Sequence, residues 1–280
     1  KIMAFYDMNQ VQQYLTAVRL EKSVLKLNKV DLLFKLVEAH VTNIVYQNQV
    51  FYFNQECDTS PIGIFEKLVV EKQGGMCYET SELFFNVLRS LGYDVTRISA
   101  FVLNNKPFNP SVPATHQILL VKIDKSFLVD VGFGNNSIRH PILLDFDQTS
   151  VTTFLELEKY QFVPNDSFCQ LNLMIDSQWS SMYRFSRDFG ECPPIQEQIL
   201  TLKNCKQMIP IRDLCLKCSI LTKTGRIGFY VEPKNGVETA YKILEDDGVR
   251  TKKMYSSFQE FFEDVKDELN IQIDIRALKM

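Results

Sequence analysis

The chain has 280 residues, 45% hydrophobic and 23% charged, with a formal net charge of -3. That apolar fraction can bury a large core, as one large domain or two to three small ones, and the near-balanced charge gives no general basic field for nucleic acid or an acidic membrane surface. No window holds the ~18 consecutive apolar residues of a membrane helix, and the opening "KIMAFYDMNQ" has no apolar run behind a basic region. A secretory leader is therefore not expected, and Met3 reads as the start, with two extra residues ahead of it.

In chain order, Val11, Tyr14, Leu15 and Val18, then Leu32, Leu33, Leu36 and Val37, recur at three and four residues. This spacing predicts a mostly helical segment from Asp7 to about Leu91. His40 ends one of these patterns and is expected to cap or pack. In "EKQGGMCYETSELFFNVLRSLGYDV" the residues Leu83, Phe84, Val87, Leu88 and Leu91 form one apolar face, and Gly92 sits where a C-terminal cap belongs. The helix should begin near Gly75 or Met76, with Cys77 in its first turn. From Val95 to about Phe168 the pattern turns to β: "VTRISAFVL", "HQILLVKI" and "SFLVDVGF" are rich in β-branched and aromatic residues, which predicts a sheet or barrel. His140, before Pro141, is expected in an exposed loop. Two further strands, "CLKCSILT" and "RIGFYVEP", precede a closing amphipathic helix with Phe258, Phe261, Phe262, Val265 and Leu269 at helical spacing.

The chemistry centres on Cys77. Free N–H groups and the positive end of the helix dipole at a first turn favour a thiolate, and Gly74 and Gly75 admit close approach of a backbone or ligand. An activated nucleophile with oxyanion donors is one reading; a buried inert thiol is the other. A thiolate needs a base, and His116 opens a strand followed by one carrying Asp130 among Phe127, Leu128, Val129 and Val131. A carboxylate there is costly unless paired. A hairpin centred on Asp124 sets His116 opposite Gly132, with Asp130 its diagonal neighbour roughly 7–8 Å away on the same face; a register shifted by one separates them. If paired, Asp130 orients His116 and His116 takes the proton of Cys77. "CLKC", with Cys192 and Cys205, could make a four-thiol metal site, but residues three apart on a strand point to opposite faces, so no metal is expected. The odd count of seven cysteines reads as reduced thiols in the cytoplasm.

"GGMCYE" and "THQILLVKIDKSFLVDVGFG" resemble the two signature segments of the arylamine N-acetyltransferases, whose catalytic Cys, His and Asp would fall on Cys77, His116 and Asp130. "EAHVTNIVYQN", "WSSMYRFS" and "FFEDVKDELNI" add weaker likenesses, while residues from about Phe189 to Leu216 do not align. The resemblance implies an α+β fold with a cysteine-protease-like core: an N-terminal helical bundle (1–92), a central β-barrel (93–195) and a C-terminal α/β lid (196–280). It also implies acetyl transfer from acetyl-CoA through a thioester to an arylamine or hydrazine, with Gly132, Phe133 and Gly134 lining the acceptor and coenzyme cleft beside Gly74 and Gly75. Three positions depart from the family pattern: Gln73 for arginine, Gln47 for glutamate and Ser81 for asparagine. The paired replacement of two charges by two amides suggests that Gln47 and Gln73 touch. A thiol hydrolase or transglutaminase-like enzyme acting on protein, and a catalytically silent binding homologue, are the competing readings.

Overall fold

The computed structural model describes residues 6–155, 158–175, 177–190, 192–271 and 273. The chain opens with α1 (Met8–Ala17), started by Asp7, whose carboxylate accepts the Asn9 and Gln10 N–H groups while the Gln10 side chain accepts the Asp7 N–H. Helix α2 (Lys29–Asn43), the short β1 (Tyr46–Gln47), α3 (Gln49–Tyr52) and α4 (Pro61–Phe65) lead through a π turn to α5 (Cys77–Ser90). The apolar stripes of α1, α2 and α5 meet in one core around Tyr14, Leu15, Leu33, Leu36, Phe84 and Leu88. His40 packs inside it, hydrogen-bonded through Nδ1 to the Tyr14 hydroxyl at 3.1 Å, and burial pushes its pKa down to about 3, so the ring is neutral.

Eight antiparallel strands follow: β2 (Asp94–Val102), β3 (His116–Lys122), β4 (Ser126–Val129), β5 (Ile142–Leu143), β6 (Ser150–Leu155), β7 (Glu158–Pro164), β8 (Phe168–Ile175) and β9 (Gln178–Ser186). Their order is β5-β4-β3-β2-β9-β8-β7-β6. Ile118 and Leu128 from one half of the sheet and Phe162, Leu171 and Phe185 from the other enter the same buried cluster, so the sheet curls into a nearly closed barrel. The opposite faces of β3 and β4 present Leu119, Val121 and Val129 to the helical core. A strand buried on both faces explains why these segments are continuous apolar runs and not alternations.

The remaining segment contributes α6 (Ile195–Asn204), α7 (Ile209–Arg212), β10 (Leu216–Leu221), β11 (Gly225–Lys234), β12 (Val237–Asp246), β13 (Val249–Met254) and α8 (Phe258–Leu269). The second sheet runs β1-β10-β11-β12-β13, so its first strand comes from the helical part of the chain. Phe261, Val265 and Leu269 of α8 cover Phe229 and Val231 of β11. Strand β12 lies outside the strands predicted from sequence, and β13, exposed at every position in "VRTKKM", offers no apolar face to read. Helix α6 lies within the stretch that carried no family likeness. His140 is half-buried, not exposed, its ring stacked on Phe34.

Candidate active site

The segment before α5 is fixed by backbone pairing with β1, just after α2. The Gly75 N–H donates to the Val45 carbonyl (3.0 Å), and the Gln47 N–H donates to the Gly75 carbonyl (2.9 Å). Gly74 has φ +70°, and a Cβ there would stand 2.5 Å from the Val45 oxygen. Neither the conformation nor the space admits a side chain. Gly74→Ala is therefore expected to lower stability by about 1–3 kcal/mol, read as a lower denaturant midpoint at unchanged slope. Glu79 is fully buried: one oxygen accepts the Met76 N–H at 3.0 Å, and the other takes the Lys67 ammonium at 2.6 Å. This carboxylate satisfies an orphan donor and complements the dipole at the start of the helix. Gly92, at φ +75°, ends it, with the Tyr93 N–H returning to the Leu88 carbonyl at 3.0 Å.

Cys77 occupies the first helical position with 9% of its surface exposed. Strands β3 and β4 pair Leu119 with Val129 and Lys122 with Ser126, which is the register centred on Asp124. Asp130 follows β4 on the side of His116, and the His116 Nε2 lies 2.9 Å from its Oδ2. The other carboxylate oxygen accepts the Gly132 N–H at 3.0 Å. Nδ1 is then the ring nitrogen not engaged by Asp130, and Cys77 is close enough to the ring to favour its charged form. Burial on its own would favour the neutral ring. The charge and hydrogen bond of Asp130, with a smaller push from Cys77, overcome that cost and raise the His116 pKa to about 10. At neutral pH the ring is an imidazolium between a carboxylate and a sulfur.

Aromatic rings close around it. Phe133 meets His116 edge-on with centroids 4.8 Å apart, Tyr183 lies 5.5 Å from His116, and Phe133 and Tyr183 are 5.3 Å apart. Burial, then the charge of Asp130, holds the Tyr183 hydroxyl well above its usual pKa, so it stays protonated. A Cβ on Gly132 would stand 2.8 Å from both the Cys77 carbonyl and Ser81 Oγ. Glycine there lets the segment after Asp130 lie directly on the first turn of α5. Gly134, at φ +61°, faces the Tyr46 ring and Ser219 of the second sheet. The next residues are clamped from β11: the Asn135 amide donates to the Tyr230 hydroxyl, and Arg226 donates to the Asn135 carbonyl and to Asn136 Oδ1. Glu158 is shared by Arg139 at 3.3 Å and Arg226 at 3.0 Å, in a buried network that ties the barrel to the second sheet.

Cys77, His116 and Asp130 are thus brought together, with Gly132 and Phe133 against them and Gly74, Gly75 and Gly134 in the loops alongside. Gln47 and Gln73 do not pair through their amides. The Gln47 amide donates to the carbonyls of Gln73 (3.4 Å) and Gly74 (3.3 Å), while the Gln73 side chain turns to Glu71 at 2.8 Å. Cys218 is in the core under α8 and Cys192 lies 3.2 Å from Ser99 Oγ. Sequence reasoning missed Tyr46, Tyr183 and the Arg139–Glu158–Arg226 network. The first two sat in mixed polar and aromatic stretches, and the third joins residues 19 and 68 positions apart.

A family model described as N-acetyltransferase matches residues 29–276. The arylamine N-acetyltransferase of Escherichia coli (strain K12) is 33% identical over 158 residues, 56% of this chain and 54% of that protein. That of Mycolicibacterium smegmatis is 31% identical over 161 residues, covering 56% and 58%. The chain spans little more than half the length of these curated relatives. Among solved structures, an M. smegmatis arylamine N-acetyl transferase superposes with a TM-score of 0.80 at 23% identity over 94% of this chain and 92% of that one. The Mycobacterium marinum arylamine N-acetyltransferase in complex with CoA gives 0.77 at 22% identity over 93% and 92%. At these identities the structures establish the fold.

Proposed function

The chain belongs to the N-acetyltransferase family, and from that premise we propose that it carries an acetyl group from acetyl-CoA, through a thioester on Cys77, to a small arylamine or hydrazine. The observation that carries the reading is the buried His116, bonded through Nε2 to Asp130 at 2.9 Å and raised in pKa by that carboxylate and by Cys77 beside it. In the first half-reaction the Cys77 proton resides on His116 and the sulfur attacks the acetyl carbonyl carbon. The N–H groups of the first turn of α5 face the oxyanion. As the bond from carbon to the coenzyme sulfur breaks, the imidazolium returns a proton to the departing thiolate. In the second half the amine nitrogen attacks the thioester, His116 receives its proton, and the Cys77 sulfur leaves. The covalent intermediate splits one hard transfer into two easier ones.

In this reading Gly132, Phe133 and Gly134 line the acceptor and coenzyme cleft beside Gly74 and Gly75. Residues 196–280 act as the lid over residues 1–92 and 93–195, with the clamp from Arg226 and Tyr230 keeping water from the thioester. The seven unpaired cysteines support a reducing compartment, the cytoplasm. Among the described residues no helix is long and apolar enough to cross a membrane.

Incubation with acetyl-CoA should add one acetyl group, mapping to Cys77, and an aromatic amine should discharge it with formation of the amide. An unmodified protein, or an adduct indifferent to amines, would overturn the proposal.

A further inference from the structure

The geometry points to Ser81 as a positioning residue that holds the Cys77 sulfur and the His116 ring in register. It lies one turn along α5 from Cys77, is 1% exposed, and donates its hydroxyl to the Gln117 carbonyl at 3.1 Å. Gln117 directly follows His116. Strand β4 pairs with β3 only from Leu119 to Lys122, so His116 and Gln117 stand outside that ladder, paired to β2 through Ala100 and Ser99. The Ser81 hydroxyl ties this end of the strand to the helix that carries the nucleophile. The same oxygen limits the third segment of the site, since a Cβ on Gly132 would come within 2.8 Å of it. One small hydroxyl therefore touches the helix of Cys77, the strand of His116 and the loop after Asp130.

The hydroxyl is what makes the connection. Ser81 lets Gly132 lie on the helix, so the loop and the strand close on the same oxygen. Without the hydroxyl the Gln117 carbonyl is a buried acceptor lacking this donor, and the His116 end of β3 is free to drift from α5. A displacement of about 1 Å at a reacting pair is enough to cost on the order of 100-fold in rate.

This inference rests on Cys77 and His116 acting as a pair, so its test reads the pair without acetyl-CoA. Alkylation of Cys77 by iodoacetamide is followed against pH in the wild type, Ser81→Ala and Ser81→Thr, alongside thermal unfolding and steady-state acetyl transfer. The alanine variant should alkylate at Cys77 about 10- to 100-fold more slowly near neutral pH, with its acetylation kcat lowered and KM little changed. The threonine variant, which keeps the hydroxyl, should recover much of the rate. Wild-type alkylation and kcat in Ser81→Ala, or a loss in both variants that simply follows their unfolding temperatures, would overturn the assignment. If alkylation falls as expected in a protein that no acetyl donor modifies, the positioning role stands and the acetyl-transfer reading fails.

Discussion

In the proposed reaction, Cys77→Ser should lose at least about 1,000-fold in acetyl transfer while keeping its fold, because removing a nucleophile that works as a unit with its base leaves only binding contributions. The change is nearly isosteric at the first turn of α5, and the helix start is held by Glu79 and the Gly75 pairing, not by the thiol. Chemistry is what changes. His116 holds its proton up to about pH 10, so at neutral pH the ring is already charged and has little capacity to accept a proton from a hydroxyl. A sulfur can share that proton and act as the thiolate; an alcohol cannot. The variant should take no acetyl group from acetyl-CoA, and its circular dichroism and unfolding midpoint should match the wild type.

The second large effect is expected at Asp130→Asn, which keeps volume and removes the charge. His116 and Asp130 are 2% and 0% exposed, so the ring has little solvent to replace its lost counter-charge. Burial, the largest influence on His116, then acts with less opposition and the neutral ring becomes favoured. The amide also presents its own donor towards Nε2 and disturbs the tautomer; activity should fall by about 1,000- to 10,000-fold. Stability carries a second signature. The folded pKa of about 10 lies above the usual 6.5, so the stabilisation from this pair is fully present below about pH 6.5 and is lost as pH rises through about 10. Denaturant midpoints taken across that window should decline in the wild type and flatten in Asp130→Asn. A parallel decline in both would place the titrating group elsewhere.

Much of this site was legible because it is built on regular elements. The period of Leu83, Phe84, Val87 and Leu88 fixed the start of α5 to within a residue or two, which put Cys77 in its first turn. The strands flanking Asp124 suggested a register that puts His116 and Asp130 on one face, and the structure realises it. What escaped was contact between elements distant in sequence. Nothing in "VYQNQ" says that Tyr46 will face Gly134, since that neighbour arrives through β1 joining a sheet whose other strands begin 170 residues later. The amides of Gln47 and Gln73 illustrate the same limit. A pairing inferred from two altered positions became a side chain reaching the carbonyls of Gln73 and Gly74, while the Gln73 amide bonds Glu71. Strand β13 lacked any signal, since an edge exposed on both faces is under no demand for alternation.

The carboxylate of Asp130 keeps a proton on the imidazole beside Cys77. Nitrogen-15 NMR of histidine-labelled protein reads this directly, with His40 as an internal contrast held neutral by burial to about pH 3. The His116 signals should stay those of an imidazolium through pH 8 and titrate near 10. A His116 ring that loses its proton near 6.5, as an ordinary histidine does, would contradict the account.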